Sequence, residues 1–167
     1  MMMRSNLPTL AGPGKRALRG KPSAASPHGG HRSGRGTANR ILLASGDAAE
    51  RAVWRAMLAD PDYIVSEAEN GEAALAAIVA GATDLVIAAV VMTVIDGLEL
   101  LRAVQDLEEA PPIVLIASGR GKIDQIYMKS ATLLGAAAFH MQPFEAGEFQ
   151  TNIREVLRSR QNRPDEF

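Results

Sequence analysis

Asp84-Leu85-Val86-Ile87-Ala88-Ala89-Val90-Val91-Met92-Thr93-Val94-Ile95-Asp96-Gly97-Leu98-Glu99-Leu100-Leu101 is the stretch on which the fold turns. It opens with an apolar run, Asp84 to Ala88, of strand length rather than helix length. The period then changes. Leu98, Leu101, Val104 and Leu107 recur at helical spacing, and Asp96 stands three residues before Glu99, the reciprocal capping pattern that starts a helix. A buried strand thus runs through an apolar connection into a helix.

The same unit recurs on either side. Upstream, Ile41 to Ala44 is followed by a stripe of Ala49, Val53, Trp54, Met57 and Leu58, and Tyr63 to Ala68 by Ala74, Leu75, Ile78 and Val79. Downstream, Pro112 to Ala117 precedes a helix whose apolar side would carry Ile123, Ile126, Tyr127, Leu133 and Leu134. Ala136 to Met141 then precedes Phe149, Ile153, Val156 and Leu157. Asp47, three residues before Glu50, is a second candidate capping box, and Asn70-Gly71 turns the chain into the second helix. Five strand-helix repeats with short connections predict an α/β fold, a doubly wound five-stranded parallel sheet flanked by five helices, because parallel strands require right-handed crossovers. Ligands of such sheets gather at the carboxyl ends of the strands.

Charge divides the chain. Residues 1–40 hold eight of the eighteen Lys and Arg and none of the nineteen Asp and Glu, so ten basic and nineteen acidic side chains lie beyond them. Residues 1–39 also carry seven of the fifteen glycines and four of the nine prolines. A segment so poor in apolar surface cannot offset its ordering entropy, and it is expected to be a disordered tail before a folded domain at 40–160 and a short C-terminal tail at 161–167. Lys15, Arg16, Arg19, Lys21, Arg32 and Arg35 would make it a basic arm for an anionic partner. No cysteine is present, which excludes disulfides and thiolate chemistry, and no apolar run approaches a membrane span. A soluble, cytoplasmic protein is expected. His28, His31 and His140 lack metal-ligand spacing, and Ser118-Gly119-Arg120-Gly121-Lys122 has the glycines and cations of a weak anion loop without the full phosphate-loop pattern.

The third run, the Asp96-Gly97 that follows it, Gly135-Ala136 and Gln142-Pro143-Phe144, in that order, resemble the receiver domain of bacterial response regulators over residues 40–160. The resemblance implies a flavodoxin-like sheet and a phosphorylation site of five polar groups: two acids after the first strand, a phosphoacceptor aspartate, a hydroxyl and a lysine. Carried over position by position, the acids fall on Ser45 and Gly46, the phosphoacceptor on Ala89, the hydroxyl on Ala117 and the lysine on Gln142. Every one departs from the pattern. A methyl group has no oxygen to attack a phosphoryl donor, and neutral oxygens hold Mg²⁺ poorly. No metal, no cofactor and no enzymatic activity are expected. Shifting the alignment to Asp84 or Asp96 would place a carboxylate at the wrong end of the strand or on a helix cap, and Ser118 would rescue only the hydroxyl.

These departures imply a degenerate pseudo-receiver, a protein-interaction module that works without phosphorylation. As the chain stops soon after the fifth helix, a stand-alone module is expected, acting on another signalling protein or by self-association. Two surfaces are candidates. Val91, Met92, Val94 and Ile95 either collapse into the emptied pocket or form a partner-binding patch. Tyr127, Met128, Arg154 and Arg158 would lie on or near the face of the fourth and fifth units, where relatives often associate. Nucleic-acid or nucleotide-ligand binding through the basic arm is the alternative, and a conventional phosphorylated regulator a further one.

Overall fold

The structure is a computed structural model and describes residues 38–81 and 83–162. The arm cations Lys15, Arg16, Arg19, Lys21, Arg32 and Arg35, together with His28 and His31, lie outside the described residues, as do 163–167. Five strands alternate with five helices in the chain: β1 (Asn39–Ala44), α1 (Ala48–Met57), β2 (Tyr63–Ala68), α2 (Gly71–Val79), β3 (Leu85–Ala89), α3 (Gly97–Ala103), β4 (Ile113–Ala117), α4 (Ile123–Leu133), β5 (Ala138–Met141) and α5 (Ala146–Gln161). The strands form one parallel sheet in the order β2-β1-β3-β4-β5. This is the doubly wound architecture anticipated above.

Alternation along the central strands builds two layers, because successive side chains leave a strand on opposite faces. Ile41, Leu43, Leu85, Ile87, Val114 and Ile116 meet Trp54 of α1 and Phe149, Ile153 and Leu157 of α5. Leu42, Ala44, Val86, Ala88, Leu115 and Ala117 meet Ala74 and Ile78 of α2, Leu100 and Leu101 of α3, and Ala131 of α4. The strands that are apolar at every position, β3 and β4, are buried at every position. β2, at the edge, alternates weakly and leaves Ile64 exposed.

Several expected details change. β1 begins at Asn39, two residues earlier than the apolar run, because the Asn39 amide donates to the Asp62 carbonyl at 2.7 Å. Val53 and Val79 are exposed, since helices resting on a sheet need a narrower stripe than the one drawn from the sequence. The largest change is in α4. Ile123, Ile126 and Leu133 face solvent, Leu133 being 87% exposed, while Asp124 and Ala131 are the buried positions. Tyr127 and Leu134 keep a half-buried place against the core. Asp124 accepts the Gly121 amide at 3.2 Å, which ties the inner face of the first helical turn to the preceding loop and leaves the isoleucines outside.

Candidate functional site at the carboxyl edge of the sheet

Register brings all five carried-over positions to one edge. Ala44 pairs with Ala88, Ala89 with Ile116 and Ala117 with Met141, so Ser45, Ala89, Ala117 and Gln142 end or follow adjacent strands. The Ser45 amide donates to Ala68 O at 3.1 Å and the Gln142 amide to Ala117 O at 2.9 Å, extending the ladder to the rim. Gly46 is exposed just beyond. Asp84 precedes β3 at the opposite edge, where it accepts the Arg40 amide at 2.8 Å, and Asp96 caps α3, so neither supplies a carboxylate here.

The chemistry at this edge is neutral at its centre. Ala89 and Ala117 are 6% and 2% exposed, and their methyls join opposite core layers. Ser45 is buried, accepts the Asp47 amide at 3.1 Å, and donates its hydroxyl to Glu50 at 2.8 Å. Glu50 is thereby diverted from the second capping box expected for it. Asp47 still caps α1 alone, through the Ala49 amide at 2.8 Å, whereas Asp96 and Glu99 form the complete reciprocal box. Arg51 reaches the Ser45 carbonyl and also Glu67 at the end of β2, at 2.9 Å, and Arg55 adds a second bond to Glu67 at 2.8 Å. Those two guanidinium groups, Arg51 foremost, hold the Glu67 carboxyl below its ordinary range. Among the described residues no three His, Asp or Glu side chains converge as a metal site would require.

The connection after Ala89 divides. Met92 and Ile95 turn inward, Met92 touching both core layers, while Val91 and Val94 are 73% and 72% exposed. Val94 adopts a left-handed φ of 70°, a conformation that a β-branched residue rarely tolerates. The patch expected from four side chains thus rests on two. On the second expected surface, Met128 is exposed and Tyr127 is half buried against the core. Arg154 departs from it: it lies beside Tyr63 of β2, the strand farthest from β5. Burial, then Asp60, pushes the Tyr63 phenol up, and Arg154 works against both. Arg158, one helical turn on, shares the Arg154 side of α5 and is exposed.

In the loop after β4 the Gly121 amide is taken by Asp124, so that donor is not offered to an anion. Gly119 has a φ of 70°, and a Cβ there would lie 1.8 Å from the Gln142 carbonyl, so only glycine lets the loop cross Gln142 this closely. His140 bonds Asn152 at 3.2 Å and packs on Phe144 and Phe149. Residue patterns did not single out Arg51, Glu67 or Glu50 as parts of the rim. Their roles arise from contacts across elements, and the sole sequence signal was the nearness of Glu50 to Ser45.

The family model for the response regulator receiver domain matches residues 41–154. The chain belongs to that family. Among curated relatives, this receiver is 30% identical over 123 residues to the transcriptional regulatory protein DltR of Streptococcus agalactiae, covering 74% of this chain and 53% of DltR. It is 27% identical over 119 residues to ResD of Bacillus subtilis, covering 71% of this chain and 48% of ResD. The receiver spans about half the length of these relatives. Solved folds agree: chemotaxis response regulator CheY4 of Vibrio cholerae superposes with a TM-score of 0.63 at 23% identity, over 72% of this chain and 99% of that one. The receiver domain of an HD domain-containing protein from Pseudomonas fluorescens gives 0.71 at 19% identity, over 81% and 98%.

Proposed function

We propose that this receiver is a pseudo-receiver, a phosphorylation-independent interaction or adaptor module of a two-component-type system in the bacterial cytoplasm. The observation that supports this reading most is the enclosed methyl of Ala89 at the end of β3, where the family's chemistry requires a carboxylate nucleophile. The neighbouring positions agree with it. Ser45 spends its hydroxyl on Glu50, Gly46 has no side chain, Ala117 has no hydroxyl and Gln142 has no charge with which to neutralise a transferred phosphoryl group. With the crowded like charges gone, the repulsion that makes a receiver bistable is gone too, and the domain rests in one conformation.

Output then comes from binding another signalling protein or a second copy, with exposed Val91 and Val94 on one surface and Met128 on the other. The full chain incubated with acetyl phosphate and Mg²⁺ is expected to keep its unmodified intact mass and its spectrum. A phosphoryl adduct, or a conformational change on adding the donor, would overturn the reading.

Charge distribution favours a second reading, an anionic partner such as nucleic acid held by Lys15, Arg16, Arg19, Lys21, Arg32 and Arg35. Binding through that arm would weaken steeply with added salt. Capture of a partner that survives high salt, by the full chain and by residues 38–167 alike, supports the apolar surfaces instead.

A further inference from the structure

We infer that the outer face of α2, α3 and α4 is the interface of a symmetric dimer, covered by a second copy of this chain. These three helices lie on one side of the sheet, α3 touching both neighbours, and all run the same way because the strands they join are parallel. Their outer sides are unusually apolar. Ile126 and Leu133 of α4 and Val79 of α2 are more than 60% exposed, and α2 adds exposed Ala73 and Ala76. At about 100° per residue, Ile126 and Leu133 fall between the solvent side of α4 and the side that meets α3, which Gln105 marks by donating to the Leu134 carbonyl at 2.7 Å. Glu72, Ala76 and Val79, at i, i+4 and i+7, form the facing stripe of α2. Met128 lies on the opposite flank of α4, the flank that Gln125 shares with Met141 of β5, so this face is distinct from the two surfaces named above.

Charge complementarity selects the occupant. Outside its buried Asp124, α4 and its cap carry only Lys122 and Lys129, both exposed, whereas α2 carries Glu72 and no base. A two-fold axis through α3, perpendicular to the helices, lays each α2 antiparallel on the partner's α4. Glu72, at the start of α2, then meets the last turns of α4 with Lys129, and Val79, at the end of α2, meets Ile126. On the axis itself α3 faces its own copy, and exposed Glu99 and Arg102 exchange places across it. Every contact occurs twice, and each sets opposite charges or apolar side chains together. Helices about 16 Å long and set about 10 Å apart give a face of about 500 Å² per copy, so the dimer would bury about 1,000 Å², the lower bound for a specific interface and the mark of a weak, transient one. The assignment holds whether or not the domain accepts a phosphoryl group.

Sedimentation of the full chain is expected to pass from monomer at about 5 μM to dimer at about 500 μM, the range for an interface of this class. Ile126→Asp with Leu133→Asp, at exposed positions, should leave a monomer throughout, with far-ultraviolet dichroism reporting that the fold is kept. Glu72→Lys and Lys129→Glu should each weaken the dimer about tenfold by setting like charges opposite one another, and the two changes in one chain should restore it. A chain that stays monomeric at the upper concentration, a dimer undisturbed by the paired aspartates, or a double charge reversal no stronger than either single one would overturn the assignment. The last criterion stands even if the paired-aspartate variant does not fold.

Discussion

Ala89 is small because the space around it is already taken: it shares a layer with Ile87, Ile116 and Phe149. An aspartate at this point would bring a charge into apolar surroundings with no cation beside it. Ala89→Asp is therefore expected to lower stability by about 1–3 kcal/mol in denaturant unfolding and still to gain no phosphoryl group, since Gly46 and Gln142 supply neither a metal ligand nor a cation. Val94 presents the opposite case, an exposed side chain held in an unfavourable backbone conformation. Left-handed φ costs an L-residue about 1–2 kcal/mol, while glycine loses about 0.5–1 kcal/mol of that gain to its greater freedom in the unfolded chain. Val94→Gly should raise stability by about 0.5 kcal/mol, read as a shift in denaturant midpoint with an unchanged slope. That the resemblance calls for a carboxylate at Ala89 could be read from its neighbours in the sequence. The strain at Val94 could not, because no local signal placed its φ.

Helix starts follow local rules where the capping side chains have no stronger partner. Asp96 and Glu99 form their box as written in the sequence, whereas Glu50 abandons the Asp47 cap for the hydroxyl of Ser45. α4 shows a second limit of local pattern. Its isoleucines and leucine obey helical spacing yet point outward, because burial follows the side whose Ala131 joins the core layer of α3 and the sheet rather than the side richest in apolar residues. Replacing Ile126 or Leu133 by Ser should change stability by less than about 0.5 kcal/mol, as at other surface sites. Ala131→Leu should cost about 1–3 kcal/mol by overpacking. Thermal melts of the three variants separate this orientation from one with the isoleucines inside.

Stability against pH depends on how α1 and the edge strand β2 are joined. The Glu67 carboxyl titrates below its ordinary value of 4.5, through hydrogen bonds from Arg51 and then Arg55, so the folded chain releases this proton more readily than the unfolded one. Its contribution is fully present above about 4.5 and is lost as pH falls through the lower folded value. Glu67 lies at the surface, so the effect is modest and weakens with salt. Glu67→Gln should melt below the parent near neutral pH, and the two melting curves should converge as the solution is acidified. Apolar runs of strand length alternating with helical stripes were enough to specify five βα units, their parallel pairing and the edge where a site would lie, because periodicity and right-handed crossovers leave few other arrangements. That Ala89 carries a methyl where the resemblance calls for a carboxylate was equally legible, since a methyl is a methyl in any fold. The sequence alone could not say that Glu50 binds Ser45, that Arg51 spans from Ser45 to Glu67, that Arg154 turns toward β2, or that α4 exposes its isoleucines. Each of these depends on which groups meet across the sheet, and only packing in three dimensions decides that.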